Sequence, residues 1–405
     1  MSGIPDLLYV ADVPVDASAS GPLHLYRLLR PYTRYDATLT IAETNISRSA
    51  SEQRLPAIEY HSYDLAAIER LLSTRFRRWY GSWLHLKAKF VPTALKTVVE
   101  ESQPEAILTV WHRYSWLTAA ALAKRYGLPL HLIVHDDAPN VRRRANDVFQ
   151  PLFDRDFRHV YQDAESRLCV SPYMEAEYRE RYGIGGQVMY PTRGWEAPSY
   201  GGPPKKIEEK REEIVVGYSG TIHTPGFKKA LQTVADLIRP LGGTLLIRSP
   251  VPPQKAVKKE WARSNMDFRS FVPSAEIIPT LRSDADILFL PMAFEGWAAV
   301  KNQTNFPAKL TEYTATGLPL LVWGPDNSSG VRWCREHSGL AEVVTDPKKE
   351  ALRPAVERLF RDAEHRARLG AEALRVGRKY FEAQTAWSTL QEALMSGERN
   401  EKAVK

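Results

Sequence analysis

The sequence has little of what marks disulfide-stabilised, secreted or membrane-spanning chains. Its 405 residues include two cysteines, Cys169 and Cys334, which are too few and too far apart for a disulfide framework or a zinc cluster. The first residues carry no basic stretch before the short apolar run at 7–11, which predicts no signal peptide. No run reaches the roughly 18 apolar residues of a membrane span. We therefore expect a cytoplasmic protein, and contact with the inner face of a membrane stays open.

One long segment lacks acidic residues altogether. The chain has 55 Lys and Arg against 48 Asp and Glu, yet residues 70–99 contain seven basic side chains and no acidic one. Aromatic residues alternate with these charges, which suits the surface of an anionic membrane. A solvated helix whose aromatic side chains pack inward, and an RNA-binding surface, are the alternatives. No RNA-recognition motif accompanies the segment, so we predict no nucleic-acid partner.

Short apolar runs alternate with amphipathic stretches along almost the whole chain, which predicts an α/β fold with parallel sheets. Amphipathic helices are expected at 23–30, 63–72, 115–126 and 227–239. The predicted strands are 7–11, 37–42, 106–111, 130–135, 167–170 and 187–190, followed by 214–218, 244–248, 267–271, 287–291, 319–322 and 341–344.

A break in this alternation divides the chain. Residues 196–212 are rich in proline and glycine and then run into a dense stretch of charges, which predicts an interdomain linker. The linker separates an N-terminal domain over 1–195 from a C-terminal domain over 213–378. A final amphipathic helix is expected at 379–397.

The sequence VGYSGT at 216–221 is the first candidate for chemistry. A strand that ends in glycine lets a phosphate approach the backbone, and the following helix N-terminus adds donors and a favourable dipole. The motif is neither G-x-G-x-x-G nor a P-loop. An ordinary tight turn between strand and helix remains the alternative.

A second candidate lies at 302–319, directly after the buried strand at 287–291. Thr304 or Asn305 can cap a helix there, and Gly317 can end it. Lys309 and Glu312 then lie one turn apart on one face. A surface ion pair is the alternative, but a helix at the carboxyl edge of a parallel sheet stands where ligands bind.

At this point the chain resembles a known family. The sequence FPAKLTEYTATGLP at 306–319 is similar to the donor-site helix of GT-B glycosyltransferases, in particular the retaining family 4. The stretch at 281–291 resembles the strand that leads into that helix, and 217–220 stands where the family has its phosphate-side glycines. Weaker matches lie at 20–24 and 133–137. The resemblance implies two Rossmann-like domains facing across a cleft, with the C-terminal helix crossing back to the first.

The resemblance also implies roles for individual residues. Glu312 would bind the donor ribose, Lys309 would face the diphosphate, and His135 or Asp136 would face the transferred sugar as catalytic residues. Gly21 would lie on the acceptor side. The full set of implied donor-binding residues is Gly217, Gly220, Thr221, Lys228, Arg248, Thr304, Asn305, Lys309 and Glu312.

The sequence departs from the family at two places. Thr304 stands where the family often carries a second glutamate, and Glu295 lies nearby at a different spacing. The basic pair expected after the first C-domain strand is displaced, with His223 near its position and Lys228 following. Arg248 is a candidate substitute cation, and a strand-end cap is its alternative interpretation.

Metal and hydrolase signatures are weak. Asp284-Ala285-Asp286 matches a D-x-D metal motif but precedes a buried strand, so polar residues at a helix end are the expected interpretation. The ten histidines show no H-E-x-x-H spacing, and no metal is predicted. No Ser/His/Asp arrangement is visible, which argues against a hydrolase triad.

The resemblance implies a metal-independent, retaining transfer of a sugar from a nucleotide-sugar co-substrate, UDP- or GDP-linked, without any further cofactor. It also implies an acceptor that is a sugar or a lipid-linked hydroxyl in bacterial polysaccharide or glycoconjugate synthesis. Two alternatives stay open: a nucleotide-sugar epimerase of the same fold, and a catalytically inactive GT-B protein that serves as a binding partner.

Overall fold

The computed structural model describes residues 3–403 except 19, 67, 69, 72–73, 138–149, 210–212, 223 and 251–260. The chain divides into two compact units. The first comprises Met1–Tyr190 together with Ala383–Lys405, and the second comprises Pro191–Glu382. Each unit is built around one parallel β-sheet.

The first unit contains a seven-stranded parallel sheet in the order β3-β2-β1-β4-β5-β6-β7. Its central strands are buried at every residue and rich in Leu, Ile and Val, as expected for a sheet covered by helices on both faces. The strands are β1 Leu7–Ala11, β2 Leu39–Thr44, β3 Glu59–Tyr63, β4 Ala106–Val110, β5 Leu130–Val134, β6 Ser166–Cys169 and β7 Gln187–Val188. The helices are α1 Ser20–Leu29, α2 Arg77–Lys87, α3 Thr93–Ser102, α4 Ser115–Tyr126, α5 Gln150–Asp163 and α6 Pro172–Tyr182.

The second unit contains a six-stranded parallel sheet in the order β10-β9-β8-β11-β12-β13. Its core packs β8 and β9 against the amphipathic helices that flank the sheet. The strands are β8 Val215–Ser219, β9 Thr244–Arg248, β10 Met266–Arg269, β11 Ile287–Pro291, β12 Leu320–Trp323 and β13 Ala341–Val344. The helices are α7 Pro225–Ile238, α8 Ile277–Asp284, α9 Gly296–Lys301, α10 Lys309–Tyr313, α11 Ser329–Glu336, α12 Lys349–Arg361 and α13 Ala363–Phe381.

The last helix, α14 Ala383–Ala403, belongs to the first unit. Its Trp387 is 2% exposed and lies between Tyr32 and Tyr35, with ring centroids 5.7 Å away in each case. The indole N–H donates to the Tyr35 hydroxyl at 3.4 Å. The predicted α/β fold with a C-terminal helix returning to the first domain is therefore confirmed.

The edge of the first sheet differs from the prediction. Strand β3 pairs in parallel with β2, although its sequence EYHSY is polar and carries no apolar run. An edge strand meets a neighbour on one side only, so burial leaves little trace in its sequence. The helix predicted at 63–72 is wrong at its start, because Tyr63 ends β3.

The predicted linker at 196–212 includes residues that pack within the second unit. Ile207 is fully buried, and its carbonyl accepts a hydrogen bond of 3.1 Å from Nε of Arg366. The same buried guanidinium donates to the Glu209 carbonyl at 2.8 Å. The chain is thus held against α13 along this stretch.

Candidate functional site

The second sheet reverses its strand order between β8 and β11, and ligands of open α/β sheets bind at the carboxyl ends of such strands. Strand β8 runs directly into Gly220, whose φ of +146° is rarely adopted by residues with a side chain. A Cβ at this position would lie 2.7 Å from Nζ of Lys309. The glycine therefore leaves the space that the lysine occupies.

A buried tyrosine fixes α10 against this turn. The Tyr313 hydroxyl accepts a hydrogen bond of 2.9 Å from the backbone N–H of Ser219, the last residue of β8. Lys309 lies four residues before Tyr313 and so on the same helical face. Its ammonium comes to lie 5.3 Å from the centre of the Tyr218 ring.

The charge of this lysine is only partly compensated. Burial lowers the pKa of Lys309, and the negative charge of Glu312, one turn further along α10, raises it by a smaller amount. A partly buried ammonium beside a glycine turn interacts more strongly with an incoming anion than a fully solvated one does. Lys309 and Gly220 together form a site suited to a phosphate group, and Glu312 offers a hydrogen-bond acceptor one turn further along α10.

Arg193 holds the far end of α10, and the sequence reasoning missed it. This arginine is 6% exposed, and it donates to the carbonyl of Thr311 at 2.8 Å and to the hydroxyl of Thr314 at 3.1 Å. Burial lowers its pKa to about 10. Since 118 residues separate Arg193 from Thr311, no local pattern in the sequence could have paired them.

The predicted start of the donor-site helix is wrong. We expected Thr304 or Asn305 to cap a helix ending at Gly317, whereas α10 begins at Lys309 and ends at Tyr313. Asn305 instead continues the turn after α9, since its N–H donates to the Lys301 carbonyl at 3.0 Å. Pro307 lacks an N–H and disfavours helical geometry at the residue before it, which separates the two helices.

The turn after β8 contains the remaining candidates of this motif. Gly217 lies inside β8, where a Cβ would stand 2.7 Å from Cβ of Ala285, so its small size serves packing. The Thr221 carbonyl accepts a hydrogen bond of 2.8 Å from the Tyr218 hydroxyl. Lys228 is half-buried in the first turns of α7. His223 lies outside the described residues.

Arg248 is engaged within its own domain. Its guanidinium donates to the Ser270 carbonyl at 3.2 Å and forms an ion pair with Asp284, which also pairs with Arg269 at 3.0 Å. The side chain thus ties the ends of β9 and β10 to α8. These contacts favour the strand-end interpretation of Arg248 over that of a substitute phosphate cation.

The D-x-D motif serves the fold in the same way. Beside the ion pairs of Asp284, the Asp286 carboxylate accepts a hydrogen bond of 2.9 Å from the Val215 N–H. Within the described residues, no group of three or more His, Cys, Asp or Glu side chains is arranged to hold a metal ion. No helix there has both the length and the hydropathy of a membrane span.

The first unit contains a second candidate site at His135, the residue directly after β5. The imidazole of His135 lies edge-on to that of His24 on α1, with ring centroids 4.9 Å apart. His24 is 7% exposed, and neither of its ring nitrogens has a hydrogen-bond partner among the described residues. His24 lies in the weak family match at 20–24, but the sequence assigned it no role, because only the fold brings α1 and the end of β5 together.

Burial keeps both imidazoles neutral at pH 7. Burial lowers the pKa of His135 to about 4, against the opposing charge of Asp136. Burial, followed by the neighbouring His135, holds the pKa of His24 well below its usual range. Neutral imidazoles with unused ring nitrogens are suited to hydrogen bonding with hydroxyl groups.

The other carboxylates at this edge are committed to the fold. Asp12, directly after β1, accepts hydrogen bonds of 2.8 Å from the N–H groups of Tyr114 and Ser115 at the start of α4. Asp137 accepts from the Tyr178 hydroxyl and pairs with Arg181, both at 3.1 Å.

Two predicted residues of this unit lie nearby. Asp136 is half-buried beside the histidine pair. Gly21 is the second residue of α1, where a Cβ would make an ordinary contact of 3.8 Å with Val13. Its acceptor-side role stays a prediction.

Known proteins resemble this chain in two ways. Residues 24–191 match the model of the family described as Glycosyltransferase Family 4. Among solved structures, HepE from Anabaena in complex with UDP-glucose has a TM-score of 0.65 at 14% identity, covering 97% of this chain and 100% of that chain. The chain has the GT-B fold. No curated protein sequence matches it.

Two further GT-B neighbours span almost the whole chain. Sucrose-phosphate synthase from Thermosynechococcus elongatus has a TM-score of 0.66 at 13% identity and covers 98% of this chain and 99% of that chain. A putative UDP-N-acetylglucosamine 2-epimerase from Listeria monocytogenes has a TM-score of 0.52 at 11% identity and covers 93% of this chain and 95% of that chain. At such identities the likeness establishes the fold alone.

The resemblance to GT-B glycosyltransferases of the family 4 type is confirmed, and the family match supports the predicted class of enzyme, a glycosyltransferase. The match falls on the N-terminal half, whereas the sequence motifs were clearest in the C-terminal half.

Proposed function

We propose that this GT-B protein transfers a sugar from a nucleotide-sugar donor to an acceptor hydroxyl. The observation that carries the proposal is the ammonium of Lys309 beside Gly220, with Glu312 one turn along α10, at the strand-order reversal of the second sheet. A UDP-sugar is the first candidate donor, because the structural neighbour HepE was solved with UDP-glucose. A GDP-sugar is the second.

The donor site must stabilise a departing nucleoside diphosphate. Lys309 supplies positive charge where negative charge grows as the glycosidic bond to phosphate breaks, and its partial burial strengthens that interaction. The Lys309 charge can neutralise the leaving diphosphate, a role that a divalent cation has in other transferases, so we propose metal-independent transfer. The Glu312 carboxylate accepts hydrogen bonds from the ribose hydroxyls.

We assign His135 and Asp136 to the transferred sugar. A neutral imidazole next to a carboxylate can bind hydroxyl groups and tolerate the positive charge that develops on the sugar ring. The carboxylates of Asp12 and Asp137 already hold the fold together. We propose that Asp136 binds the sugar without acting as a nucleophile, so that transfer retains the anomeric configuration without a covalent intermediate. The bond from the sugar to the diphosphate breaks, the leaving phosphate takes the acceptor's proton, and the acceptor oxygen bonds to the same face of the sugar. A trapped glycosyl-enzyme adduct would contradict this step.

The proposal places the enzyme in the cytoplasm, in the synthesis of bacterial polysaccharide or glycoconjugate. Both cysteines are free thiols and buried, which suits a reducing compartment. The acceptor is a sugar or a lipid-linked hydroxyl.

Nucleotide binding is the first test. The purified chain is melted with UDP, GDP, ADP, CMP and dTDP, and a ligand at about 100 times its Kd should add roughly 2.7 kcal/mol to the free energy of unfolding. The shift with one nucleotide should be lost in Glu312→Gln and kept in the matched control Glu336→Gln, an exposed carboxylate of the same unit. If no nucleotide shifts the melting temperature, the proposed transfer is refuted, and the alternative of an inactive binding partner is favoured.

Turnover separates the transferase from the epimerase. With the identified donor sugar, a transferase should release the nucleoside diphosphate in step with the acceptor consumed, and the NMR coupling of the product reports the anomeric configuration. His135→Ala should retain nucleotide binding and lose turnover. Rapid release of UDP without any acceptor would favour the epimerase, the function named for the Listeria neighbour.

A further inference from the structure

Helix α2 in the first unit has two apolar faces, of which the fold uses one. Gly81, Leu84, His85 and Ala88 recur at helical spacing and face the core. Leu84 and Ala88 are fully buried and His85 is 4% exposed. The His85 ring nitrogen lies 2.7 Å from the Asp156 carboxylate on α5, which anchors the helix. This face accounts for the attachment of α2 to the unit.

The opposite face is apolar and exposed. We call Phe76, Trp79, Trp83, Leu86 and Phe90 the outer stripe. They recur every three and four residues, so they share one side of the helix. Phe76 directly precedes the helix and Phe90 lies just after its end. Their exposed fractions are 50%, 73%, 45%, 50% and 74%, respectively. They are five of the nine large apolar side chains exposed among the described residues.

Cations flank the outer stripe and carboxylates are absent from it. Lys87 places its ammonium 5.1 Å from the centre of the Trp83 ring, and Arg75 lies at the same distance from the Phe76 ring. Residues 70–99 contain no Asp or Glu at all. The partner of this face must therefore accept aromatic side chains and supply negative charge.

We propose that the outer stripe binds the interfacial region of an anionic lipid bilayer, with α2 lying parallel to the membrane surface. Tryptophan and phenylalanine side chains settle at the level of the headgroups, and flanking Lys and Arg side chains bind the lipid phosphates. The outward direction of the aromatic side chains contradicts the alternative of a solvated helix with its aromatic residues packed inward.

A bilayer fits this surface better than a second copy of the chain. Two copies meeting through the outer stripe would bring the Arg75 and Lys87 side chains of both copies together, and like charges at close range repel. An anionic membrane supplies both the apolar layer and the opposite charge. The inference is independent of the proposed sugar transfer.

The test uses the full chain and vesicles of defined composition. We expect the protein to sediment with phosphatidylcholine vesicles that contain phosphatidylglycerol, and to bind vesicles of phosphatidylcholine alone at least about tenfold more weakly. The double variant Trp79→Ser/Trp83→Ser should bind the anionic vesicles at least about tenfold more weakly than the unmodified chain. The double variant Arg75→Gln/Lys87→Gln should also bind the anionic vesicles at least about tenfold more weakly than the unmodified chain, and its binding should depend less on salt concentration.

A matched control addresses exposed aromatic residues in general. Phe271→Ser removes a phenylalanine that is 45% exposed in the second unit, and it should bind anionic vesicles like the unmodified chain. All variants should melt within a few degrees of the unmodified chain, because Trp79 is 73% exposed and Trp83 is 45% exposed, with Trp83 stacked on Tyr80 near the surface.

Three results would overturn the proposal: no preference for phosphatidylglycerol, equal binding by Trp79→Ser/Trp83→Ser, or a dimer in sedimentation equilibrium that this double variant dissociates. Retained vesicle binding in Glu312→Gln, which loses nucleotide binding under the proposed function, shows that the two inferences stand or fall separately.

Discussion

Replacing Lys309 by methionine separates binding from stability more sharply than any other change at the candidate donor site. In the free protein, burial lowers the pKa of this lysine, so folding disfavours its charged form relative to the unfolded chain. Methionine fills a similar volume without that cost. Lys309→Met should therefore melt at the same temperature as the unmodified protein or above it.

The same variant should lose affinity for a nucleoside diphosphate. A hydrogen bond between charged groups contributes about 1.5–3 kcal/mol, which is roughly 10- to 150-fold in Kd. A nucleotide at about 100 times its Kd adds roughly 2.7 kcal/mol to the free energy of unfolding, and a Kd raised about thirtyfold leaves roughly 0.9 kcal/mol. At about 2–4 °C per kcal/mol for a domain of this size, the thermal shift falls from about 5–11 °C to about 2–4 °C.

Differential scanning fluorimetry and isothermal titration calorimetry measure the two effects side by side. The matched control is Lys349→Met, which removes an exposed lysine from α12 in the same unit and should change neither. If Lys309→Met keeps the full nucleotide shift, Lys309 does not bind the diphosphate. If the variant melts several degrees lower without any ligand, Lys309 is a structural residue.

Three further predictions concern Gly220 and two buried side chains, Arg193 and His131. Gly220→Ala should weaken nucleotide binding in calorimetry, because the new Cβ displaces the flexible end of Lys309. It should also lower the free energy of unfolding in urea titrations, because the strained backbone costs about 1–3 kcal/mol. The loss in binding free energy should exceed the loss in the free energy of unfolding. Arg193→Met should lower the free energy of unfolding by about 1–3 kcal/mol in urea titrations, since it strips a buried carbonyl of its donor, and Arg193→Lys should lose less. Burial lowers the pKa of the fully buried His131 to about 4, below its unfolded value, so this residue alone should lower stability by up to roughly 3 kcal/mol as the pH drops from about 6.5 towards 4. His24 and His135 add to the fall for the same reason, so His131→Asn should reduce its size in urea titrations across the pH range without removing it.

Much of the architecture could be predicted because its signals are local. Buried parallel strands such as β5 and β11 are short runs of Leu, Ile and Phe, and turn glycines such as Gly220 stand beside them. Strand β3 was not predicted, because a polar edge strand is held by its backbone pairing with β2. The start of α10 was predicted wrongly, because good capping residues stand just before the break at Phe306-Pro307.

The candidate site was predictable only in part, for a related reason. Glu312 and Lys309 lie on one helix near a recognisable motif, so spacing alone places them together. Arg193 and His24 gained their importance from partners more than a hundred residues away. Arg248 was ambiguous for the same reason, since its ion pair with Asp284 joins two separate elements.

The alternation of strands and helices, the glycine turn after β8 and the basic character of residues 70–99 can be read from the amino-acid sequence, because each depends on neighbouring residues. The buried face of α2 cannot, since both of its faces are apolar and helical periodicity does not rank them. The meeting of the His24 and His135 imidazoles and the contact of Lys309 with Gly220 likewise depend on the packed fold. Contacts between distant segments depend on how the sheets order their strands, and that order is a property of the whole packed domain.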